Sequence, residues 1–238
     1  MSRVVLVTGG NRGIGRACVE AFLKNGDRVA FTYRSNPPSD LEGENVLALQ
    51  ADVNDPQSVE NAFAKVEEQF GNVEVLVANA GINKDTLLMR MSEDEWDDVL
   101  DTNLKAAWRV AKRASRNMTK ARSGRMVFMS SVVGYFGSPG QTNYASSKAG
   151  LIGLARSITR ELGPRGITAN VVAPGPVATD MLTALGDQGA ARLTDLVPIG
   201  RAASPEEVAA AVTFLASPEA SYISGVVLPV DGGMAMGH

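Results

Sequence analysis

Histidine and cysteine are almost absent from this chain of 238 residues, which carries one of each, Cys18 and His238. A zinc cluster, an intramolecular disulfide, a Ser-His-Asp triad and a Cys-His dyad all need more of these residues, or better placed ones. His238 is the last residue, where a chain frays by default. The sequence therefore excludes these classes, and we expect no metal site.

Basic residues are not in excess, since 23 Lys and Arg stand against 26 Asp and Glu, for a net charge of −3. Proteins that follow nucleic-acid phosphates usually carry a basic excess, so we expect no nucleic-acid partner. No apolar run approaches the roughly 20 residues that span a bilayer, and the start, Met1-Ser2-Arg3, shows no signal-peptide pattern. With a single cysteine, these absences predict a cytoplasmic protein without a membrane partner.

Short apolar runs alternate with longer helical patterns along the whole chain. The runs are apolar nearly throughout, which is typical of strands covered on both faces of a parallel sheet. The predicted strands are residues 4–8, 28–33, 46–51, 73–78, 125–130, 168–173 and 226–230. Helix-start signals lie between them at Asp55, Ser92 and Ser204. The pattern predicts one α/β domain, residues 1–238, with a doubly wound, seven-stranded parallel sheet of the Rossmann type.

One segment, at about 175–201, interrupts this pattern. It follows Pro174, contains Gly186, Gly189 and Gly200, and has weak apolar periodicity. Ligands of doubly wound sheets bind beyond the carboxyl ends of the strands. A long irregular segment after a late strand therefore predicts a lid over the site, and a surface connection without a function is the alternative.

A glycine-rich turn follows the first predicted strand and opens a helix. It reads Thr8-Gly9-Gly10-Asn11-Arg12-Gly13-Ile14-Gly15. Gly9 permits the sharp turn, Gly13 lets a pyrophosphate approach the backbone, and Gly15 lets the helix pack closely on the strand. Phosphate would then meet the free N–H groups and the positive end of the helix dipole. The turn predicts dinucleotide binding.

The end of the second strand indicates which dinucleotide. NAD-selective sites usually carry an acid here for the ribose 2′-hydroxyl, whereas this chain has Thr32 and Tyr33, followed by Arg34. Arg12 lies nearby in the glycine-rich turn, and two guanidiniums at one corner suit a 2′-phosphate. We therefore predict NADP(H). The alternative is that both arginines are ordinary surface residues.

Tyr144 and Lys148 stand four residues apart in a predicted helix and so share one face. A lysine cation beside a phenol favours the phenolate and lowers the tyrosine pKa, which suits proton transfer near neutral pH. Ser131, at the end of a predicted strand, would hold a substrate oxygen. Asn103 lies within the long helix that starts near Ser92, where an amide is a surface group unless it faces the sheet.

These residues carry a resemblance to a known family. The motifs are Thr8-Gly9-x3-Gly13-x-Gly15, Asn79-Ala80-Gly81, Asn103, Ser131-x12-Tyr144-x3-Lys148 and Pro174-Gly175. In this order, over essentially the whole chain, they resemble the short-chain dehydrogenase/reductases. Residues 134–150, 167–175 and 222–233 resemble in particular the 3-oxoacyl-[acyl-carrier-protein] reductases. Residues 9–12, 88–91 and 233–238 look most like the reductases of actinobacteria. The resemblance implies an NADPH-dependent enzyme that reduces 3-oxoacyl groups on acyl-carrier protein in fatty-acid synthesis or elongation.

The resemblance also implies a role for each matched residue. Tyr144 would protonate the developing alkoxide, Ser131 would orient the carbonyl oxygen, and Lys148 would bind the nicotinamide ribose. Asn103 would hold a water that links Lys148 to solvent. The implied cofactor-binding residues are Gly9, Asn11, Arg12, Gly13, Ile14, Gly15, Arg34, Asp52, Val53, Asn79, Ala80, Gly81, Tyr144, Lys148, Pro174, Val177 and Thr179.

Two departures from the family pattern concern the environment of the site. Ala78 stands where the family often has asparagine, which removes a supporting contact and leaves the chemistry intact. Tyr135 and Phe136 stand where reductases of shorter acyl chains often have smaller residues. These rings would form a wall for a longer acyl chain, and simple packing is the alternative.

The resemblance further implies a homotetramer, because residues 106–118 are similar to the family's dimerising helix and the C-terminal strand usually builds a second interface. Acyl-carrier protein is strongly acidic, so its docking needs local cations. The candidates are Lys120, Arg122, Arg125 and Arg165, and the alternative is that all four are ordinary solvated residues.

Two other functions stay open. A family relative of this kind would act on a polyketide, a CoA ester such as acetoacetyl-CoA, or a sugar or steroid alcohol. A catalytically silent dinucleotide-binding sensor or scaffold would have lost Tyr144, Lys148 or Ser131, and all three are present.

Overall fold

The computed structural model describes residues 2–35, 41, 43–184 and 186–237, so His238 lies outside the described residues. Within them, seven parallel strands form one sheet in the order β3-β2-β1-β4-β5-β6-β7. The strands are β1 Val4–Val7, β2 Arg28–Tyr33, β3 Val46–Gln50, β4 Val75–Ala78, β5 Gly124–Met129, β6 Ile167–Pro174 and β7 Val227–Val230. The predicted doubly wound α/β fold is confirmed, with strand bounds that differ by at most two residues from those expected.

Helices lie between most of the neighbouring strands of the chain, and three of them begin at the expected capping residues. In the described part of the chain they are α1 Gly13–Lys24, α2 Pro56–Gln69, α3 Glu93–Leu100, α4 Ala106–Ala121, α5 Val133–Phe136, α6 Thr142–Leu162, α7 Asp180–Thr183, α8 Gly186–Thr194 and α9 Pro205–Leu215. Asp55 caps α2, and Ser92 and Ser204 form capping boxes with Glu95 and Glu207. A π-helical turn, Asp101–Lys105, joins α3 to α4 without a break.

Both faces of the sheet are covered by apolar layers, which explains why the strands are apolar throughout. Val4 and Leu6 of β1 pack in one core cluster with Phe63 of α2, together with residues of α4 and α6. Val5 and Val7 alternate with them and pack in the other cluster, with residues of α1 and α9. Because successive side chains of a strand point to opposite faces, every position of β1 is buried.

The segment at about 175–201 is more regular than the sequence indicates, since it contains α7 and α8. Neither helix has a buried residue among those described, and a helix without a buried face produces no apolar period. The two ends of the segment pair with each other through their backbones, residues 176–178 with Ala203, and we call this pairing the neck. The Ala178 amide donates to the Ala203 carbonyl and the Ala203 amide to the Pro176 carbonyl, each over 2.9 Å.

Candidate active site

The residues expected to form the site gather at one edge of the sheet, where the strands have their carboxyl ends. Residues 9–15 follow β1, Arg34 follows β2, Asp52 and Val53 follow β3, residues 79–81 follow β4, Ser131 follows β5, and Val177 and Thr179 follow β6, which ends at Pro174. β1 pairs with β2 on one side and with β4 on the other. The strand order therefore reverses at β1, which is where doubly wound sheets bind ligands.

The glycine-rich turn has the geometry that phosphate binding requires. Gly9 and Gly13 have φ of +66° and +53°, and a Cβ on Gly15 would lie 2.1 Å from the Gly9 carbonyl oxygen. Arg12 supplies no side-chain cap to α1, and the first turn of α1 holds no acidic residue. The first N–H groups of α1 are thus available to an anion, whereas α2, α3 and α9 have side-chain caps.

Three polar side chains hold this turn against the sheet. The Asn79 side-chain amide donates to the Thr8 and Gly9 carbonyls, each over 3.0 Å, and the Thr8 hydroxyl accepts from the Asn79 and Ala80 amides, also over 3.0 Å. The buried Thr32 hydroxyl accepts from the Gly9 amide over 3.2 Å. Thr32 therefore supports the turn, and the corner expected to bind the ribose is left to Tyr33 and Arg34.

Arg12 and Arg34 lie at the same end of the neighbouring strands β1 and β2. Arg34 is exposed, and Arg12 lies 3.7 Å from the carboxylate of Asp180, at the start of α7. Residues 36–40, which follow Arg34 closely, lie outside the described part of the chain. The selection of NADP(H) by this pair stays a prediction.

Ser131, Tyr144 and Lys148 come together at the carboxyl edge of the sheet, where the glycine-rich turn also lies. Tyr144 and Lys148 occupy successive turns of α6, with the Lys148 Nζ 5.4 Å from the centre of the Tyr144 ring. Ser131 lies close enough to Tyr144 to lower the pKa of the phenol, and the buried Lys148 donates to the Met129 carbonyl over 2.8 Å. A Cβ on Gly81 would approach Lys148 Nζ to 3.4 Å, so glycine there leaves room for the lysine. The catalytic roles of the three residues stay predictions.

The pKa values of the pair differ from the expectation. Burial raises the pKa of Tyr144 to about 12, while the hydrogen bond to Ser131 lowers it and the charge of Asp85 raises it. Burial also lowers the pKa of Lys148 to about 8. The expected lowering of the tyrosine pKa is wrong for the chain by itself, because removing the phenolate from water costs more than its neighbours return. At neutral pH Tyr144 therefore keeps its proton.

Asn103 faces the interior and is not a surface residue. It lies in the π-helical turn with 1% of its surface exposed, and π turns are frequent at functional sites. Its Oδ1 accepts from the Ile82 amide over 2.8 Å, and its Nδ2 donates to the Ile82 carbonyl and the Ser147 hydroxyl. Both amide hydrogens are therefore used. The proposed water between Asn103 and Lys148 stays a prediction, and the side-chain amide of Asn103 is not its donor.

Two supporting residues were missed from the sequence. Ser147 is fully buried, accepts from Asn103 and donates to the Tyr144 carbonyl over 2.8 Å. Asn143 is also fully buried and donates to the carbonyls of Lys84 and Glu95. The proximity of both to Tyr144 in the chain was the available signal, but their partners are distant in sequence and nothing in the sequence identifies them.

The basic residues predicted to dock the acyl-carrier protein lie at the amino ends of the strands, opposite the carboxyl edge. They are Lys120, Arg122, Arg125 and Arg165. Arg125 is at the amino end of β5, about 20 Å from Ser131 at a strand rise of about 3.3 Å per residue. Its guanidinium donates to the carbonyls of Gly124 and Gly166, so Arg125 makes structural contacts with the backbone. Lys120, Arg122 and Arg165 are exposed, and docking on them stays a prediction.

In the described part of the chain, no helix has the length and apolar character of a membrane span. No group of three or more His, Cys, Asp or Glu residues in the same part of the chain is placed to hold a metal ion.

Known proteins match the chain over its full length. Residues 9–235 match a family model described as enoyl-(acyl carrier protein) reductase. The 3-oxoacyl-[acyl-carrier-protein] reductase MabA of Mycobacterium tuberculosis is 52% identical over 100% of this chain and 95% of its own length, and that of Mycobacterium avium is 51% identical over 100% and 92%. The reductase FabG of Escherichia coli is 48% identical over 98% of each chain. These matches confirm the resemblance, and the chain belongs to the short-chain dehydrogenase/reductase family of oxidoreductases.

Proposed function

We propose that the protein is an NADPH-dependent reductase of 3-oxoacyl thioesters carried on acyl-carrier protein, in fatty-acid synthesis or elongation. The observation that carries the proposal is the group of Ser131, Tyr144 and Lys148 at the carboxyl edge of the sheet, the same edge at which α1 begins without a side-chain cap from Arg12. The names of relatives that are 48–52% identical over nearly the whole chain support the substrate class.

A nicotinamide cofactor is typical of the family, and the residues at the carboxyl edge fit one. The turn at residues 9–15 would hold the pyrophosphate, Asp52 and Val53 would frame the adenine, and Val177 and Thr179 would face the nicotinamide amide. Arg12 and Arg34, with no acid at the end of β2, support NADPH over NADH. When bound, the cofactor supplies the hydride that the ketone carbon receives.

The chain's own groups handle the oxygen and its proton. The substrate carbonyl oxygen would accept hydrogen bonds from Ser131 and Tyr144, since Ser131 lies close enough to Tyr144 to affect the pKa of its phenol. Tyr144 holds its proton at neutral pH and would donate it as negative charge develops on that oxygen. The Lys148 ammonium beside the ring would stabilise the resulting phenolate.

The segment at about 175–201 would act as a lid over the acyl chain. It leaves the sheet and returns through the neck between Val177 and Ala203, and its apolar side chains Met181, Leu196 and Ile199 are exposed. Exposed apolar side chains beside a site indicate a surface that an apolar ligand covers. Phe136, 43% exposed on α5 just after Ser131, would add to the wall for a long acyl chain.

We also infer a homotetramer in the cytoplasm. Trp108 on α4 is 44% exposed on one face of the molecule, and Phe214 and Tyr222, near α9 and β7, are exposed on the other. Two separate apolar surfaces suit the two interfaces of a tetramer with twofold symmetry. Sedimentation velocity of the purified chain tests this, and a monomer at micromolar concentration would contradict it.

Carrier docking on Lys120, Arg122 and Arg165 has its own test. The double variant Arg122→Glu with Arg165→Glu should raise KM for a carrier-bound substrate and leave KM for a CoA thioester unchanged. Equal effects on the two substrates would contradict docking at this edge.

The substrate panel tests the main proposal. Oxidation of NADPH is followed with 3-oxoacyl thioesters of four to sixteen carbon atoms, with NADH as the cofactor control. Because the matching family model is described as enoyl-(acyl carrier protein) reductase, 2-enoyl thioesters of equal length are the substrate control. We expect turnover of 3-oxoacyl thioesters with NADPH. Turnover of 2-enoyl thioesters alone, or of a sugar or steroid ketone alone, would contradict the assignment.

A further inference from the structure

The loop at residues 52–54 follows β3 at the carboxyl edge, where the family resemblance puts the adenine of the cofactor. The loop is partly held from within, since the Asn54 amide donates to the Asp52 carboxylate over 2.8 Å. The Asp52 amide donates to the Ser58 hydroxyl over 3.0 Å, which ties the loop to α2. These contacts shape the loop but do not connect it to the rest of the carboxyl edge.

That connection comes from one helix through two side chains. The Asn54 side-chain amide donates to the Thr102 hydroxyl over 2.8 Å, and the Arg109 guanidinium donates to the Val53 carbonyl over 2.6 Å. Thr102 lies in the π turn and is 7% exposed, and Arg109 lies on α4. Both side chains leave the helix on the same side, because they contact neighbouring residues of one loop.

The residues that meet beneath the loop are closely packed, since Val53 is 9% exposed and Thr102 is 7% exposed. The Thr102 hydroxyl and the Arg109 guanidinium add polar contacts to this packing, and each contact is made to a group of the loop itself. The position of the loop therefore depends on these hydrogen bonds as well as on apolar contact.

The helix that carries Thr102 and Arg109 is anchored independently of them. Arg113, one turn beyond Arg109, donates to the carboxylates of Glu60 and Glu67 on α2 over 2.8–3.0 Å, and Asn117 donates to Glu67 over 2.7 Å. The Arg113 side chain is only 11% exposed, where such charge-assisted pairs are strong. Loss of Arg109 would thus remove the support of the Val53 carbonyl and leave α2 and α4 in place.

We propose that Thr102 and Arg109 are positioning residues for the adenine end of the nicotinamide cofactor. The inference rests on the cofactor assigned under the proposed function. Thr102 is the neighbour of Asn103 in the π turn, and Asn103 reaches Ser147 and the segment after β4. One helix segment therefore supports the adenine loop with one residue and the surroundings of Tyr144 with the next.

Binding measurements on the purified full chain test the proposal. Dissociation constants are measured for NADPH and for adenosine 2′,5′-bisphosphate, which contains only the adenine end. Arg109→Met keeps the apolar stem and removes the donor, and Thr102→Val keeps the shape and removes the hydroxyl. Thr102→Ser, which retains the hydroxyl, is the conservative variant. Arg116→Met on the same helix removes an exposed arginine that lies 3.5 Å from Glu60 and is the matched control.

We expect Arg109→Met and Thr102→Val to raise the dissociation constants of NADPH and of adenosine 2′,5′-bisphosphate by the same factor. That factor is about tenfold, which corresponds to the loss of one hydrogen bond. The dissociation constants of Thr102→Ser and Arg116→Met for NADPH and for the bisphosphate should stay within about twofold of those of the unaltered chain. The kcat of these two control variants at saturating NADPH should not change. Unchanged affinity for the bisphosphate in both variants, or a loss of kcat without a loss of affinity, would overturn the proposal. If the unaltered chain bound the bisphosphate but reduced no thioester, the substrate assignment alone would fail. If it bound neither NADPH nor the bisphosphate, the cofactor assignment and this inference would both fail.

Discussion

Replacement of Lys148 by methionine should abolish activity and stabilise the protein at neutral pH. Burial lowers the pKa of this lysine from 10.5 to about 8. At about 1.36 kcal/mol per pH unit, keeping the charge inside costs the folded state about 3 kcal/mol at pH 7. Methionine keeps an unbranched stem without the charge. It also loses the hydrogen bond to the Met129 carbonyl, a loss of about 1–2 kcal/mol.

The difference between the two proteins should depend on pH, with a sign that follows from the lowered pKa. Below about pH 8 both folded and unfolded chains bind the proton, and the folded wild type carries the full cost. Between about pH 8 and 10.5 the folded chain releases the proton while the unfolded chain keeps it, so the stability of the wild type rises relative to Lys148→Met. The variant should be more stable by about 1–2 kcal/mol at pH 7 and less stable by a similar amount near pH 10.5.

Thermal unfolding of the cofactor-free chain at pH 7 and pH 10, at one protein concentration, measures this. In a chain of this length 1 kcal/mol shifts Tm by about 2–4 °C, so Lys148→Met should melt about 2–8 °C higher at pH 7. Lys65→Met on α2 removes an exposed lysine and shows what the loss of a surface charge does over the same range. An identical Tm difference between wild type and Lys148→Met at both pH values would refute the reasoning, because the lysine would then have no lowered pKa.

Three further predictions concern the turn, the support of Tyr144 and the cofactor. Gly15→Ala places a Cβ 2.1 Å from a carbonyl oxygen, whereas a Cβ on Gly153 would meet nothing within 4 Å. In urea unfolding, Gly15→Ala should therefore lower the free energy of unfolding by more than about 3 kcal/mol. Gly153→Ala should raise it by about 0.5–1 kcal/mol. Ser147→Ala leaves an amide hydrogen of Asn103 unpaired and should cost about 1–3 kcal/mol of unfolding free energy and lower kcat, so full stability in urea would contradict it. Arg12→Ala should lower the affinity for NADPH by about tenfold to a hundredfold and leave the affinity for NADH unchanged. Equal losses of affinity for both cofactors in a fluorescence titration would count against a 2′-phosphate contact.

The sheet could be predicted because the signals for it, apolar strands and helix-capping residues, are local in the sequence and recur along the chain. Strands such as β1 are buried on both faces and therefore apolar at every position, and capping residues such as Asp55 and Ser92 mark the helix starts between them. The carboxyl edge follows from the parallel order, so residues that come directly after strands, such as Ser131, were placed correctly.

Other features depend on contacts that the sequence does not display. α8 has no buried face and so no apolar period. Asn103 faces inward because of a π turn, which has no sequence signal of its own here. The bonds of Thr102 to Asn54 and of Arg109 to Val53 join residues 48 and 56 positions apart, and residue types this common carry no mark of a partner. The pKa of Tyr144 depends on the balance between burial and neighbouring groups, which requires the three-dimensional arrangement.

The most direct test of the central claim is a single-turnover measurement on Tyr144→Phe. The chain is saturated with NADPH and mixed with a 3-oxoacyl thioester, and the loss of reduced nicotinamide is followed in one turnover. Because Tyr144 is the proton donor in this account, the NADPH-saturated variant should react at least about a hundredfold more slowly than the wild type. A Tyr144→Phe chain that reduces the thioester at the wild-type rate would contradict the mechanism and, with it, the assignment of Ser131, Tyr144 and Lys148 as the active site.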